Sequence, residues 1–229
     1  MTRIFARWQN GVMVSDQDAH HVVHVLRMRV GDTLELLMED GIYQGQIHQT
    51  KPLIIHRMQP VTSQHELSMQ ITLIYPVSKG ERMDWVVQKA TELGVSELIA
   101  CDSDHAIVHW QQDDLTKKLN RYQKMIAEAT LQSKREKVMK FTQYLPLTKA
   151  LTLPFDHKWI ASEHHQHLPK PNFQPQSGTI ALVVGPEGGF SQKEMIVATG
   201  QGYQPISLGP SILRTETAVI AALAMLRYW

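Results

Sequence analysis

The first part of the chain shows the two-residue alternation of apolar and polar positions that is typical of short β-strands. Thr33–Met38 is rich in strand-forming residues, Asp40-Gly41 is a hairpin turn signal, and Ile54–Met58 is another short apolar run. A helix is predicted after the polar segment Ser15–Asp18. Its apolar face would contain Ala19, Val22, Val23 and Leu26. Short strands with one helix predict a small barrel over residues 1–66.

The pattern changes after a polar linker at 60–66, because apolar strands and amphipathic helices alternate over residues 67–229. Two of the helices begin with the Ser-x-x-Glu spacing of a capping box, at Ser78 and at Ser191. Strands are predicted at Met69–Tyr75, Glu97–Cys101, Lys158–Ala161, Ile180–Val184 and Tyr203–Leu208. This alternation predicts a second domain of the α/β class with a parallel sheet.

The composition restricts the class of protein. The single cysteine, Cys101, excludes an internal disulfide and any metal centre built on several cysteines. Apolar runs fall short of the about 20 residues of a membrane-spanning helix, and the N-terminus lacks a secretory signal, so we expect a cytoplasmic protein. The formal net charge is only +1, so a nucleic-acid partner would need a local basic patch.

Histidines form two groups, one on the first helix and one in a proline-flanked loop over 164–177. Neither group includes the carboxylate of a metal-binding H-E-x-x-H motif, so no metal site is expected. The histidines concerned are His20, His21 and His24 in the first group and His164, His165 and His167 in the second.

Two glycine-containing segments each lie between a predicted strand and a predicted helix. Val184–Ser191 reads VGPEGGFS, and Leu208–Thr217 reads LGPSILRTET. Open α/β sheets bind ligands outside the carboxyl ends of their strands, where both segments would lie. Glycine permits close backbone approach to a ligand, although a tight strand–helix turn would need glycine for its geometry alone. Neither segment is a dinucleotide fingerprint or a P-loop.

Arg214 is the unexpected residue of the second segment. Helix capping and the helix dipole account for Thr215, Glu216 and Thr217 at a helix start. They do not account for Arg214, because a positive charge is unfavourable at that end of a helix. Arg214 is therefore interpreted as facing a ligand or an acidic partner.

Basic residues are concentrated in one stretch, 117–140, which has eight Lys and Arg against two acidic residues. This basic stripe could hold phosphates, or it could be an ordinary solvated helix face. Its members are Lys117, Lys118, Arg121, Lys124, Lys134, Arg135, Lys137 and Lys140. Four N-terminal arginines could form a second basic face, namely Arg3, Arg7, Arg27 and Arg29.

The two glycine-containing segments together resemble the signature of the RsmE-type 16S ribosomal RNA methyltransferases, which are members of the SPOUT class. The pair GPEGGFS-x-x-E and LGPSILRTETA is specific at this separation. The resemblance extends along the chain in order, through Arg3-Ile4-Phe5, His24–Asp32, KGERMD at 79–84 and QKATELGV at 88–95. One segment departs from the pattern: Lys134 stands where the family has glycine, and Met139 where it has proline.

The resemblance implies a SPOUT domain whose C-terminal part is threaded into a deep trefoil knot, preceded by a PUA-like RNA-binding barrel. It also implies a homodimer with packed C-terminal helices, and S-adenosylmethionine as the cofactor. The residues implied for the cofactor are Val184, Gly185, Pro186, Glu187, Gly188, Gly189, Leu208, Gly209, Ile212, Leu213 and Thr217. Those implied for RNA are Arg3, Arg7, Arg27, Arg29, Lys134 and Arg135.

The implied reaction is methylation of uracil N3 in the decoding region of the small subunit's 16S ribosomal RNA. Loss of the N3 proton leaves negative charge on the flanking carbonyl oxygens, which a positioned arginine would stabilise. Arg214 is the first candidate for this role, with Glu216 to orient it or act as base and Glu187 as a second base. Two alternatives remain open: a SPOUT enzyme that modifies another RNA site or a ribose 2′-hydroxyl, and a non-catalytic RNA-binding assembly factor.

Overall fold

The chain folds into two compact units, the first formed by 1–66 with 131–136 and the second by the remaining residues. The sequence pattern did not indicate that 131–136 belongs to the first unit. The computed structural model describes residues 1–8, 11–62, 66–162 and 177–228. Part of the predicted linker therefore lies outside the described residues, as does nearly all of the predicted loop over 164–177 with His164, His165 and His167.

Strands dominate the first unit. Within its described residues they are β1 (Arg3–Phe5), β2 (Arg7–Trp8), β3 (Val12–Met13), β4 (Thr33–Met38), β5 (Gly41–Thr50) and β6 (Leu53–Pro60). One sheet has the order β1-β4-β5-β6, with β1 parallel to β4 and the other pairs antiparallel. β2 and β3 form a separate antiparallel hairpin. The predicted strand at Thr33–Met38 and the turn after it are confirmed.

A short helix, α1 (Asp16–His20), continues as one π-helical turn at His21–Val25. Ser15 caps α1 as predicted, because its Oγ accepts a hydrogen bond from the Asp18 amide at 3.1 Å. Val22 is buried with residues of β1, β4, β5 and β6, and this cluster is the core of the first unit. The helical segment ends where Arg27 adopts a positive φ of 55°.

The second unit is built on a parallel sheet, as the alternating pattern predicted. Its described strands are β7 (Met69–Pro76), β8 (Glu97–Asp102), β9 (Lys140–Pro146), β10 (His157–Ala161), β11 (Gly178–Val184) and β12 (Gln204–Ile206). They lie in the order β12-β10-β11-β7-β8-β9, and each neighbouring pair is parallel. Their carboxyl ends therefore share one edge.

Five helices accompany this sheet in the described part of the chain: α2 (Glu81–Glu92), α3 (Gln112–Gln132), α4 (Leu147–Ala150), α5 (Gln192–Gly200) and α6 (Thr215–Tyr228). Ser191 and Glu194 form the predicted capping box of α5. The predicted capping box at Ser78 is wrong, because α2 begins after Gly80 without a side-chain cap. Among the helices of the described ranges, none has both the length and the apolar character to cross a membrane.

Both faces of the parallel sheet are covered, which explains its nearly continuous apolar strands. Along β7, Leu73 and Tyr75 face a core shared with α2, α3 and α6. Ile74 faces the opposite core, which contains residues of α4 and α5. All three side chains are fully buried. The carboxyl edge of the sheet is thus held between two packed layers.

Candidate active site

A cleft with an empty volume of about 650 Å³ is formed at the carboxyl ends of the neighbouring strands β10, β11 and β12. The wall consists of the ends of these strands, the segments that follow them and the start of α6. Its residues are Ala161, Ser162, Val184, Gly185, Pro186, Gly189, Phe190, Ile206, Ser207, Leu208, Gly209, Ser211, Ile212, Leu213, Thr215 and Ala218.

The two segments singled out in the sequence meet in this cleft. Eight of the residues predicted to hold the cofactor line it: Val184, Gly185, Pro186, Gly189, Leu208, Gly209, Ile212 and Leu213. Glu187, Gly188 and Thr217 do not. The sequence analysis missed Ala161 and Ser162, which contribute because β10 lies between β11 and β12. The sequence predicted a strand that ends at Ala161, but it did not predict that this strand lies beside the cleft.

Glycines shape the first segment in two different ways. Gly189 has a φ of 70°, a left-handed conformation that favours glycine. Gly185 has no room for a side chain, because an added Cβ would lie 2.9 Å from the Phe190 ring. Phe190 itself lines the cleft, so Gly185 allows this aromatic ring to fold back beside the strand end.

Gly188 serves packing between two loops of the second unit. An added Cβ would lie 2.9 Å from the Cβ of His105 and 3.2 Å from its carbonyl oxygen. The His105 ring nitrogen Nδ1 also lies 3.1 Å from the Gly188 carbonyl oxygen. The sequence analysis placed Gly188 against the cofactor; the structure places it against the loop after β8.

A buried carboxylate fixes the same two loops. Glu194 Oε2 accepts a hydrogen bond from the Ser191 amide at 2.8 Å, while Oε1 accepts one from the Asp104 amide at 2.9 Å. Ser191 Oγ donates to Asp104 Oδ2 at 2.6 Å. Because Glu194 is almost fully buried, its two oxygens hold the helix start and the loop in one arrangement.

The start of α6 is anchored to the sheet through Tyr75. Its hydroxyl lies 3.1 Å from Thr215 Oγ1, and both residues are buried. Burial raises the pKa of Tyr75, so the phenol is neutral at physiological pH. Thr215 Oγ1 also lies 3.3 Å from Glu216 Oε2. This chain of contacts fixes the backbone that carries Arg214 and Glu216 beside the cleft.

Arg214 is exposed, and its guanidinium makes no hydrogen bond or ion pair within the described part of the chain. Glu187, by contrast, forms an exposed ion pair with Arg82 of α2. No role was predicted for Arg82, which lies in the segment KGERMD at 79–84. The structure therefore leaves Arg214 available to a ligand, and it gives Glu187 a cationic neighbour.

Comparison with known proteins agrees with this architecture. A family model described as an RNA methyltransferase domain matches residues 65–227, and one described as an RNA methyltransferase PUA domain matches residues 14–55. Ribosomal RNA small subunit methyltransferase E of Rickettsia conorii is 30% identical, over 94% of this chain and 88% of that protein. This chain belongs to the ribosomal RNA small subunit methyltransferase E family. The Bacillus subtilis member is 28% identical, over 94% of this chain and 89% of its own length.

Two solved structures have the same fold. Ribosomal RNA small subunit methyltransferase E from Neisseria gonorrhoeae, bound to S-adenosylmethionine, is 30% identical and has a TM-score of 0.85. The match covers 99% of this chain and 96% of that one. A Legionella pneumophila protein in complex with the same cofactor also has 30% identity and a TM-score of 0.85, over 99% and 97% of the two chains.

Lys134, where the resemblance implied a glycine, has an unusual backbone conformation. Its φ is 62°, so the backbone keeps a left-handed conformation although the residue is not glycine. The Lys134 ammonium lies 3.1 Å from Glu35 Oε2 and also contacts the Met1 carbonyl oxygen. Lys134 is therefore committed to contacts within the first unit.

Arg3 and Arg135, which were predicted to bind RNA, are instead buried and paired within the first unit. Arg3 Nε donates to Glu35 at 2.8 Å, its Nη1 donates to the Arg135 carbonyl oxygen at 2.9 Å, and only 2% of its side chain is exposed. Arg135 Nη2 donates to Glu66 Oε2 at 3.0 Å, and 3% of its side chain is exposed. A buried and paired guanidinium presents no donor to a phosphate, so both arginines are structural.

Most of the remaining predicted basic residues are exposed, and two of those in the basic stripe are paired. Arg7, Arg27 and Arg29 are exposed in the first unit. In the basic stripe, Arg121 forms an ion pair with Asp84, and Lys118 lies 3.3 Å from Asp114. Lys117, Lys124 and Lys140 are also exposed. The stripe is therefore a set of separate charges, partly neutralised, and offers fewer phosphate partners than its composition suggested.

His20 and His24 lie close together on the first helical segment, with ring centroids 4.8 Å apart. No group of three or more potential metal ligands occurs among the residues that the structure describes.

Proposed function

We propose that this protein methylates uracil N3 in 16S ribosomal RNA of the small subunit, with S-adenosylmethionine as methyl donor. The observation that carries the proposal is the cleft between the two segments, with the unpaired Arg214 beside it. Family members are named ribosomal RNA small subunit methyltransferases, and a solved one binds S-adenosylmethionine.

The residues of the cleft fit this cofactor. Ile206, Leu208 and Leu213 offer apolar surface for a purine ring, and Ser207 and Ser211 offer hydroxyl groups for its polar atoms. Gly209 has a φ of 115° with open space where a side chain would be, so a ligand can approach the backbone there. When bound, S-adenosylmethionine supplies an electrophilic methyl group on a positively charged sulfur.

The chain's own residues would prepare the uracil. The N3–H bond must break as the new N3–carbon bond forms, and the negative charge that develops spreads over the two flanking carbonyl oxygens. Arg214 would stabilise this charge in the manner of an oxyanion hole. Glu216 would orient Arg214 or accept the N3 proton, and Glu187 is the alternative base, held by Arg82.

RNA would be held by exposed cations of each unit. We assign phosphate contacts to Arg7, Arg27 and Arg29 in the first unit and to Lys117 and Lys124 in the second. The uracil must leave any base stack to expose N3, at a cost of about a few kcal/mol.

Three further properties belong to the proposal: a trefoil knot in the C-terminal part, a cytoplasmic location and a homodimer formed through α6. What supports the dimer is the helix itself, since Ile220, Ala221, Ala224 and Met225 are apolar but only partly buried. Partly buried apolar side chains on a helix that is apolar all round favour a further packing partner.

The proposal is tested with small ribosomal subunits that lack the modification. The purified protein is incubated with isotopically labelled S-adenosylmethionine, and the labelled nucleoside is identified by mass spectrometry. Label in 3-methyluridine is the expected result. Label in another nucleoside or on a ribose would reassign the target, and absence of both label and cofactor binding would favour an assembly factor.

A further inference from the structure

An aromatic–arginine cluster lies in the first unit, formed by Trp8 of β2, Tyr43 of β5 and Arg57 of β6. The guanidinium carbon of Arg57 lies 4.1 Å from the centroid of the Tyr43 ring and 5.0 Å from that of the Trp8 ring. Cation–π attraction of this kind fixes both the guanidinium and the rings. Neither Trp8 nor Arg57 was identified as a functional residue from the sequence.

Asp40 holds two members of the cluster in place. The Tyr43 hydroxyl donates to Asp40 Oδ2 at 2.9 Å, and Arg57 Nη1 lies 3.3 Å from the same oxygen. The hydrogen bond to Asp40 raises the pKa of Tyr43 and keeps the phenol protonated. Tyr43 and Arg57 therefore have defined positions before any ligand arrives.

Trp8 is not used for packing. Its residue is 60% exposed, and it is absent from the core of the first unit, which Ile4, Val22 and Leu36 help to form. Burying an indole would stabilise the protein by about 25 cal/mol per Å² of apolar surface, and an exposed indole lacks this stabilisation. An exposed indole held against a guanidinium is the arrangement on which unpaired nucleic-acid bases stack.

We propose that the aromatic–arginine cluster is a stacking site for an unpaired base of the RNA substrate, with Trp8 as the platform and Arg57 as its support. This inference rests on the proposed function, because it assumes an RNA substrate. Asp40 partly neutralises Arg57, so the site recognises a flat base more than a phosphate. Stacking depends weakly on base identity, and the site therefore supplies affinity and placement rather than sequence specificity.

The test measures binding of a short unstructured oligoribonucleotide to the full-length protein by tryptophan fluorescence and by anisotropy of a labelled probe. Trp8→Ala should raise Kd by about five- to 150-fold, the effect of losing one stacked base. Trp8→Phe should restore most of the affinity, whereas Trp8→Leu should not. The dependence of Kd on salt should stay unchanged in Trp8→Ala, because no phosphate contact is lost.

Trp85 provides the matched control, since it is 47% exposed on α2 and also has a cation near its ring, with Lys89 Nζ 5.9 Å from the centroid. Trp85→Ala should leave Kd unchanged. Thermal unfolding of each variant checks that the fold is intact. Equal affinity in wild type and Trp8→Ala would overturn the proposal, as would equal losses in Trp8→Ala and Trp85→Ala.

Methylation of small ribosomal subunits is measured on the same variants, which separates this inference from the proposed function. If the wild-type protein methylates the subunits and Trp8→Ala binds RNA as tightly as wild type, the proposed function stands and the stacking site is refuted. If Trp8→Ala loses RNA affinity but the wild-type protein does not methylate the subunits, the stacking site stands and the proposed function is refuted. A raised KM for subunits with unaltered affinity for free RNA would assign the surface to a protein of the subunit and overturn the proposal.

Discussion

Arg214 is a candidate catalytic residue because its charge has no partner within the protein's described residues. It is a cation at a helix start, where the dipole disfavours positive charge, and it has no partner within the described residues. Arg214→Ala should lower kcat by about 100- to 1,000-fold, as loss of one charge-stabilising donor does in other enzymes. Cofactor affinity measured by calorimetry should stay unchanged.

Arg214→Lys separates charge from geometry in the same assay. A lysine keeps the positive charge but cannot donate two parallel hydrogen bonds, so it should recover only part of the lost rate. Wild-type turnover in Arg214→Ala would remove Arg214 from the mechanism.

Tyr75 and Tyr203 form a matched pair of buried tyrosines. The Tyr75 hydroxyl meets Thr215, whereas the buried Tyr203 hydroxyl has no hydrogen-bond partner among the described residues. Tyr75→Phe should cost about 1 kcal/mol in the free energy of unfolding, and it should slow methyl transfer because the start of α6 loses its anchor. Tyr203→Phe should cost nothing. Urea denaturation and initial rates measure both effects, and equal behaviour of the two variants would refute the anchoring role.

Lys134 combines backbone strain with a favourable ion pair, and two substitutions separate them. Lys134→Ala removes the contact with Glu35 but keeps the left-handed backbone, whereas Lys134→Gly removes the contact and also relieves the strain. The glycine variant should therefore be more stable than the alanine variant by about 1–2 kcal/mol in urea denaturation. Equal stabilities would show that the strain is negligible.

The pH dependence of stability checks the ion-pair part of that prediction. Burial raises the pKa of Glu35, but hydrogen bonds and charges from Arg3 and Lys134 outweigh burial and leave it below its usual value. The stabilisation is thus present above the pKa of the unfolded state and is lost as the pH falls through the lower folded-state pKa. The difference between wild type and Lys134→Ala should shrink below about pH 4.

Most strands and helices of the second unit were predictable because their patterns of apolar and polar residues are local; β9 and α4 were not predicted. The parallel sheet and the α5 capping box follow from spacing alone, whereas the cofactor role of the two cleft segments was implied by the family resemblance. β9 was missed because the apolar and polar residues of Lys140–Pro146 (KFTQYLP) do not alternate regularly. The contribution of Ala161 and Ser162 to the cleft could not be predicted, because it depends on strand order, which local sequence does not encode.

Gly188 packs against His105, so the loop after β11 and the loop after β8 are in contact. Gly188→Ala would place a methyl group against His105, so one loop must move, and cofactor affinity should fall although Gly188 does not line the cleft. Gly200→Ala is the control, because open space surrounds that position at the end of α5. Calorimetry with S-adenosylmethionine measures both, and unchanged affinity in Gly188→Ala would show that the loop packing does not shape the cleft.

In the whole molecule, one long-range association was not predicted from the sequence: residues 131–136 belong to the first unit. Residues 131–136 follow most of α3 in the chain yet belong to the first unit, where Arg135 pairs with Glu66. This pairing joins residues 69 positions apart, and the sequence analysis instead interpreted Arg135 as a phosphate ligand. Long-range pairing of a charge leaves no periodic signal, so the structural role of Arg135 emerged only from its burial.

The ion pair between Arg135 and Glu66 should stabilise the folded molecule. Arg135→Gln would leave the partly exposed Glu66 carboxylate without its charged partner, and an unmade hydrogen bond to a charged group of this kind costs about 1–3 kcal/mol. Lys140→Gln, at an exposed position of the same basic stripe, should change stability by less than about 0.5 kcal/mol. Urea denaturation measures both. If Arg135 instead contacts RNA, the two variants will have similar stabilities, and Arg135→Gln will weaken RNA binding while the protein remains as stable as wild type.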